Sequence, residues 1–145
     1  MQVREAMTAD VLIANPQQSI RDAARAMAAL DAGSLPVGDG DRLVGMITDR
    51  DIAVRAVALG LGPETPVREV MSPEIKYCFD DEEIEDIAEN MGSIKVRRLP
   101  VVNRSKRLVG IISLGDIARS DDGSAAWAMR EIVEPGGEHS QAPPM

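Results

Sequence analysis

The segment Arg42-Leu43-Val44-Gly45-Met46-Ile47-Thr48-Asp49-Arg50-Asp51-Ile52-Ala53 returns downstream as Arg107-Leu108-Val109-Gly110-Ile111-Ile112-Ser113-Leu114-Gly115-Asp116-Ile117-Ala118. Windows 42–55 and 107–120 share 8 of 14 residues at an offset of 65. A second pair of windows, 3–37 and 67–101, shares 11 of 35 at an offset of 64. In total 19 of 49 aligned positions are identical, so the chain is a tandem duplication. The second copy carries one extra residue between its last two strands, where a hairpin turn tolerates it. Whatever one copy builds, the other must build as well.

Each copy follows the same order. Val11-Leu12-Ile13-Ala14 reads as a short apolar strand, matched by Ile75-Lys76-Tyr77-Cys78. The turn Asn15-Pro16-Gln17-Gln18-Ser19 ends in an N-cap candidate. Ile20, Ala23, Ala24, Met27 and Leu30 then recur at helical spacing, as do Ile84, Ile87, Ala88, Met91 and Ile94. Ser34–Val37 and Arg98–Val102 are second strands, and Leu43–Ile47 and Leu108–Ile112 are third strands, joined by polar turns. A helix is expected from Asp49 to about Leu59, stopped by Gly60, Gly62 and Pro63.

The expected class is α/β (α+β): tandem β-α-β-β-α motifs, packed sheet to sheet with pseudo-twofold symmetry because neither alone can cover its sheet. The expected boundaries are residues 1–60, a linker at 61–66, residues 67–120, a C-terminal helix at 121–133 anchored by Trp127 and Ile132, and a disordered tail at 134–145.

Composition narrows the chemistry. Apolar residues are 44% but aromatics only 2%, so the core is aliphatic and base-stacking platforms are not expected. The formal net charge of −8 disfavours general binding to nucleic acid or anionic membranes. Cys78 and His139 are each the only residue of their type, which leaves no metal site and no Ser-His or Cys-His catalytic pair to build. An enzyme is therefore not expected. Without a signal-like or 18-residue apolar stretch, the expected location is cytoplasmic.

An apolar run ending in Thr48 or Ser113 and followed by an Asp three residues on reads as a strand running into a helix start. The same spacing fits a capping box. Backbone N–H groups left free at such a helix start also suit an anion such as phosphate.

The opening Val-x-x-x-Met-[Thr/Ser], the central Leu-Pro-Val and the closing Gly-x-Ile-[Thr/Ser]-x-x-Asp-Ile, all present twice, strongly resemble the cystathionine-β-synthase (CBS) domain. The pair resembles the module often called a Bateman module, and covers about residues 3–120. The resemblance implies a non-catalytic regulatory module. It would bind adenosyl compounds (AMP, ADP, ATP, NAD or S-adenosylmethionine) in clefts between the motifs, with no obligatory cofactor. It also implies a homodimer that passes the bound state to a regulated partner. By the same resemblance, Thr48 and Asp51 would line one site and Ser113 and Asp116 the other. Arg97 and Arg98 are candidates for phosphate, and Arg50 could add positive charge in the first loop.

Residues 95–107 hold six basic residues and no acid, which leaves nucleic-acid binding as one alternative and a scaffold with non-functional sites as another. Arg104, Lys106 and Arg107 are read as a solvated hairpin. The acidic run Asp80–Asp86 is read as a helix start. Met7, Met27, Met71 and Met91, in register between the copies, are read as core packing, as is Cys78.

Overall fold

A computed structural model describes residues 1–120 and 122–133. The helices are α1 (Val3–Ala6), α2 (Ile20–Leu30), α3 (Asp49–Asp51), α4 (Ile84–Ile94), α5 (Leu114–Ser120) and α6 (Asp122–Val133). The strands are β1 (Ser34–Asp39), β2 (Arg42–Thr48), β3 (Cys78–Phe79), β4 (Arg98–Val102) and β5 (Leu108–Ser113). This is the expected α+β composition.

The chain forms two compact units, and these cut it differently from the repeats. One comprises Leu12–Ile75 with Lys106–Leu108. The other comprises Met1–Val11, Lys76–Ser105 and the described residues from Val109. Each unit thus takes its opening Val-Arg-Glu-x-Met segment from the other repeat.

In the unit of Leu12–Ile75, β1 and β2 pair antiparallel, with Leu35 opposite Ile47 and a register shift between Val37 and Gly38. Alternating inward residues of both strands, the apolar face of α2, and Val67 and Val70 build one core. Ser19 caps α2 as expected, its Oγ accepting from the Asp22 N–H at 3.1 Å. In the other unit β4 lies between β3 and β5, and β3 runs parallel to β4. Its core joins Val3, Cys78, Ile87, Met91, Leu99, Val101, Ile112, Ile117 and Ala128.

The first strand of each copy departs from expectation. Val11–Ala14 is not a strand; Ala14 makes a single bridge to Val37. In the second copy the strand is Cys78–Phe79 rather than Ile75–Cys78. The difference between copies has a local cause. Beyond the short strand, Asp80 donates its N–H to the Val102 carbonyl at 2.9 Å. The equivalent residue in copy one is Pro16, which has no N–H to donate, so the ladder stops.

The helix after Thr48 runs the expected length but is not uniform. After α3 it widens to a π-helical segment over Ile52–Ala56 and tightens to a 3-10 turn over Val57–Leu59. Gly60 closes it at φ 79°. Met27 and Met91 are buried, while Met7 and Met71 are half-buried against the two cores. Ile132 packs against the core as expected, but Trp127 is 40% exposed and Ala128 takes the fully buried place. The proposed tail, residues 134–145, lies outside the described residues. Among the described residues no helix is long and apolar enough to cross a membrane.

Candidate ligand site at the strand–helix junctions

Both junctions form the same bracket. The Thr48 N–H donates to Asp51 Oδ2 at 3.0 Å, and the Asp51 N–H donates to Thr48 Oγ1 at 2.9 Å. The Ser113 N–H donates to Asp116 Oδ2 at 2.9 Å, and the Asp116 N–H donates to Ser113 Oγ at 3.1 Å. These are capping boxes, with both the hydroxyl and the carboxylate spent on local backbone. Each leaves one carboxylate oxygen for other use.

That second oxygen differs between the copies. Asp116 is 6% exposed, and its Oδ1 pairs with Arg119. Asp51 Oδ1 is 3.9 Å from Arg55 Nε, too far for a hydrogen bond. The Asp51 oxygen is thus open to a diol, whereas Asp116 must first release Arg119. Arg119 is 73% exposed and, among the described residues, its ion pair lies within its own helix, so it can swing aside. Sequence reasoning named neither arginine. Their i,i+3 and i,i+4 spacing from the aspartates was the available signal.

The residues before β1 and β4 are brought to these junctions by one backbone bond in each copy. The Asp49 N–H donates to the Gly33 carbonyl at 2.9 Å, and the Leu114 N–H donates to the Arg97 carbonyl at 3.0 Å. The Arg97 backbone is therefore held at Leu114, the residue that follows Ser113. Arg97 and Arg98 are exposed and make no ion pair with any described residue. Arg50 is exposed beside Asp51.

An open cleft of about 280 Å³ lies at the first junction, lined by Met27, Ala28, Asp31, Ala32, Gly33 and Asp49. It approaches the lower end of the range of roughly 300–1,000 Å³ for small-molecule sites. Asp31 and Asp49 were not among the sequence candidates.

The remaining basic residues of the 95–107 stretch are largely engaged. Arg104 holds Asp81 by a two-pronged contact at 2.7 and 2.8 Å and lies 4.0 Å above the Phe79 ring. Arg107 pairs with Asp41, and the Lys95 amine donates to the Glu131 carbonyl. This breaks up the continuous cationic track that nucleic acid would need. Burial pushes the Cys78 thiol up to about 12, with Glu82 and Asp80 adding to it. That fits a packing residue rather than a redox centre. Among the described residues no group of three or more His, Cys, Asp or Glu side chains is placed to hold a metal ion.

Two α+β units with matching strand–helix brackets make a duplicated module, and the comparisons name its family. The CBS domain family matches residues 3–57 and 67–123, and the chain belongs to it. It is similar to the CBS domain-containing protein YhcV of Bacillus subtilis, at 42% identity over 132 residues, covering 90% of this chain and 94% of that one. The crystal structure of Hypoxic Response Protein I, a Mycobacterium tuberculosis protein, with two coordinated zinc ions matches at TM-score 0.75 and 39% identity, covering 82% of this chain and 98% of that one. The CBS domain pair of protein MJ0100 with 5'-methylthioadenosine and S-adenosyl-L-methionine matches at TM-score 0.71 and 28% identity, covering 85% and 97%. CBSX2 in complex with AMP matches at TM-score 0.72 and 27% identity, covering 82% and 94%.

Proposed function

We propose that this protein is a non-catalytic sensor that binds adenosyl compounds at its strand–helix junctions and passes the bound state to a partner or a second copy. The observation that carries the reading is the repeated Thr48/Asp51 and Ser113/Asp116 bracket, with Arg97 pinned beside the second. Ligand-bound neighbours of the same fold support the adenosyl class. Thr48 with Asp51, and Ser113 with Asp116, would receive ribose and phosphate oxygens. Arg97, Arg98 and Arg50 would supply positive charge. A ligand that prefers one arrangement of the junction shifts the population toward it. Val54, Val57 and Leu59, exposed by 48%, 68% and 72%, form the face proposed for a second copy. Ile52, on the same helical stretch, packs half-buried on its own core. Sedimentation as a clean monomer at high concentration would remove the dimer.

Thermal unfolding against AMP, ADP, ATP, NAD and S-adenosylmethionine tests the reading. A ligand at about 100 times its dissociation constant adds roughly 2.7 kcal/mol. For a chain of this size that raises the midpoint by about 5–10 °C. The shift should shrink in Asp51→Ala or Asp116→Ala. If no ligand moves the midpoint of a folded protein, the scaffold reading replaces this one. The closed Asp116–Arg119 contact, which satisfies the second junction without a ligand, is the observation that favours a scaffold.

A further inference from the structure

The two junctions share their backbone but carry opposite charge. Asp31 and Lys95 are equivalent: each closes its helix in the left-handed region, at φ 51° and 57°, with its N–H turned back to the carbonyls three and four residues before. Gly33 and Arg97 are equivalent, since their carbonyls accept the matching bonds from Asp49 and Leu114. Ser34 pairs with Arg98, Thr48 with Ser113, Asp49 with Leu114, Arg50 with Gly115 and Asp51 with Asp116. Over these seven positions the first copy holds three acids and one base, a sum of −2. The second holds three bases and one acid, a sum of +2. Arg55 and Arg119 add one positive charge to each and leave the difference unchanged.

The geometry of the first copy reinforces the sum. The Asp49 carboxylate stands where a side chain on residue 33 would go: Oδ2 is 3.1 Å from the Cβ position of Gly33. The position that bears a cationic side chain in one copy is thus faced by an anion in the other. Asp31 and Asp49 both line the 280 Å³ cleft. At position 114 the counterpart of Asp49 is a buried Leu.

We infer that the two junctions sort adenosyl compounds by charge. This rests on the function proposed above and adds the ligand class of each site. The second junction takes a nucleotide carrying a 5'-phosphate. The first junction repels phosphate and takes an adenosyl compound that is uncharged or cationic at the 5' position, a thioether or a sulfonium. Asp49 is the residue that sets this preference, and Asp31 assists it.

The test is calorimetric titration of the full chain with AMP and, separately, with 5'-methylthioadenosine. The expected result is one AMP per chain, weakened tenfold or more by Arg97→Gln with Arg98→Gln and by raised salt. Methylthioadenosine binding should survive both changes. The double variant Asp31→Lys, Asp49→Leu copies the second junction onto the first and should raise AMP stoichiometry from one to two. Two equivalent AMP sites in the unaltered protein would overturn the sorting while leaving the sensor reading intact. So would AMP binding unaffected by the arginine changes, or a double variant that folds and still takes one AMP. Failure of both compounds to bind would sink the sensor reading and this inference together.

Discussion

Gly45 and Gly110 occupy equivalent places in β2 and β5, and replacing either with Ala should destabilise the protein. A Cβ on Gly110 would lie 2.7 Å from the Thr8 carbonyl oxygen and 2.8 Å from Met7 Sδ. On Gly45 it would lie 2.9 Å from the Ser72 carbonyl and 2.8 Å from Met71 Sδ. The methionine tails can move, but the carbonyls cannot. Thr8 exchanges two backbone bonds with Ile111, at 2.9 and 3.0 Å, and Ser72 does the same with Met46, at 2.8 and 3.0 Å. Relieving the overlap means opening one of those pairs. Overpacking of this kind costs about 1–3 kcal/mol. Ala also restricts the unfolded chain, which offsets about 0.4–1 kcal/mol. A net loss of about 1–2 kcal/mol lowers the midpoint by roughly 2–8 °C in a chain of this length. Gly62 is the control, since a Cβ there meets nothing within 4 Å. Gly62→Ala should therefore raise the midpoint slightly. Calorimetric melts of the three variants give the answer. If Gly45→Ala and Gly110→Ala melt at or above the parent temperature, the carbonyl contacts do not constrain these strands.

Thr48→Ala and Ser113→Ala each remove a capping hydroxyl and should cost about 1 kcal/mol, read as a lower urea midpoint with unchanged slope. Cys78 should resist thiol reagents at pH 8 in the native protein and react on unfolding. Because its folded pKa, about 12, lies above the ordinary value of 9.0, its contribution is complete below pH 9. It is lost above that, at up to about 1.4 kcal/mol per pH unit, which pH-dependent melts would detect. Arg104 holds the Asp81 carboxyl below the usual carboxylate range, chiefly by hydrogen bonding. That contribution is present above the ordinary carboxylate pKa and disappears as pH falls through the lowered folded value. Melts of Arg104→Ala and the parent should therefore converge in acid, and an NMR titration of Asp81 in the variant should return to an ordinary value.

The sequence made the repeat, both hairpins, α2, α4 and the two junctions legible, because each rests on periodicity or a local signal. Ser19 as a cap and Gly60 as a stop are single-residue effects with short-range causes. The loss of the first strand in copy one needed the partner: Pro16 matters only because its counterpart Asp80 donates to Val102. Likewise Asp49 reads as an ordinary first-turn acid until its carboxylate is seen over Gly33. The engagement of Asp116 by Arg119 was within reach of helix spacing. The spread of the basic stretch onto Asp81, Asp41 and the Glu131 carbonyl was not, since it joins residues far apart in the chain.

The exchange of opening segments between repeats bears on how the chain is made. Val67 and Val70, both fully buried, complete the core of the unit that begins at Leu12, so every buried residue of that core has emerged by residue 75. Residues 1–11 precede that unit in the chain, yet their partners come late. The amino terminus of Met1 meets Glu83 across 82 residues, and Arg4 meets Asp80 across 76. Closing loops of that length is slow, so this half carries a high contact order. Val3 must therefore stay out of the first-made core during synthesis and wait for the second. A chain truncated at the repeat boundary would strand that segment without its partners and leave the first core short of two valines. Separate expression of the repeats should therefore give insoluble halves.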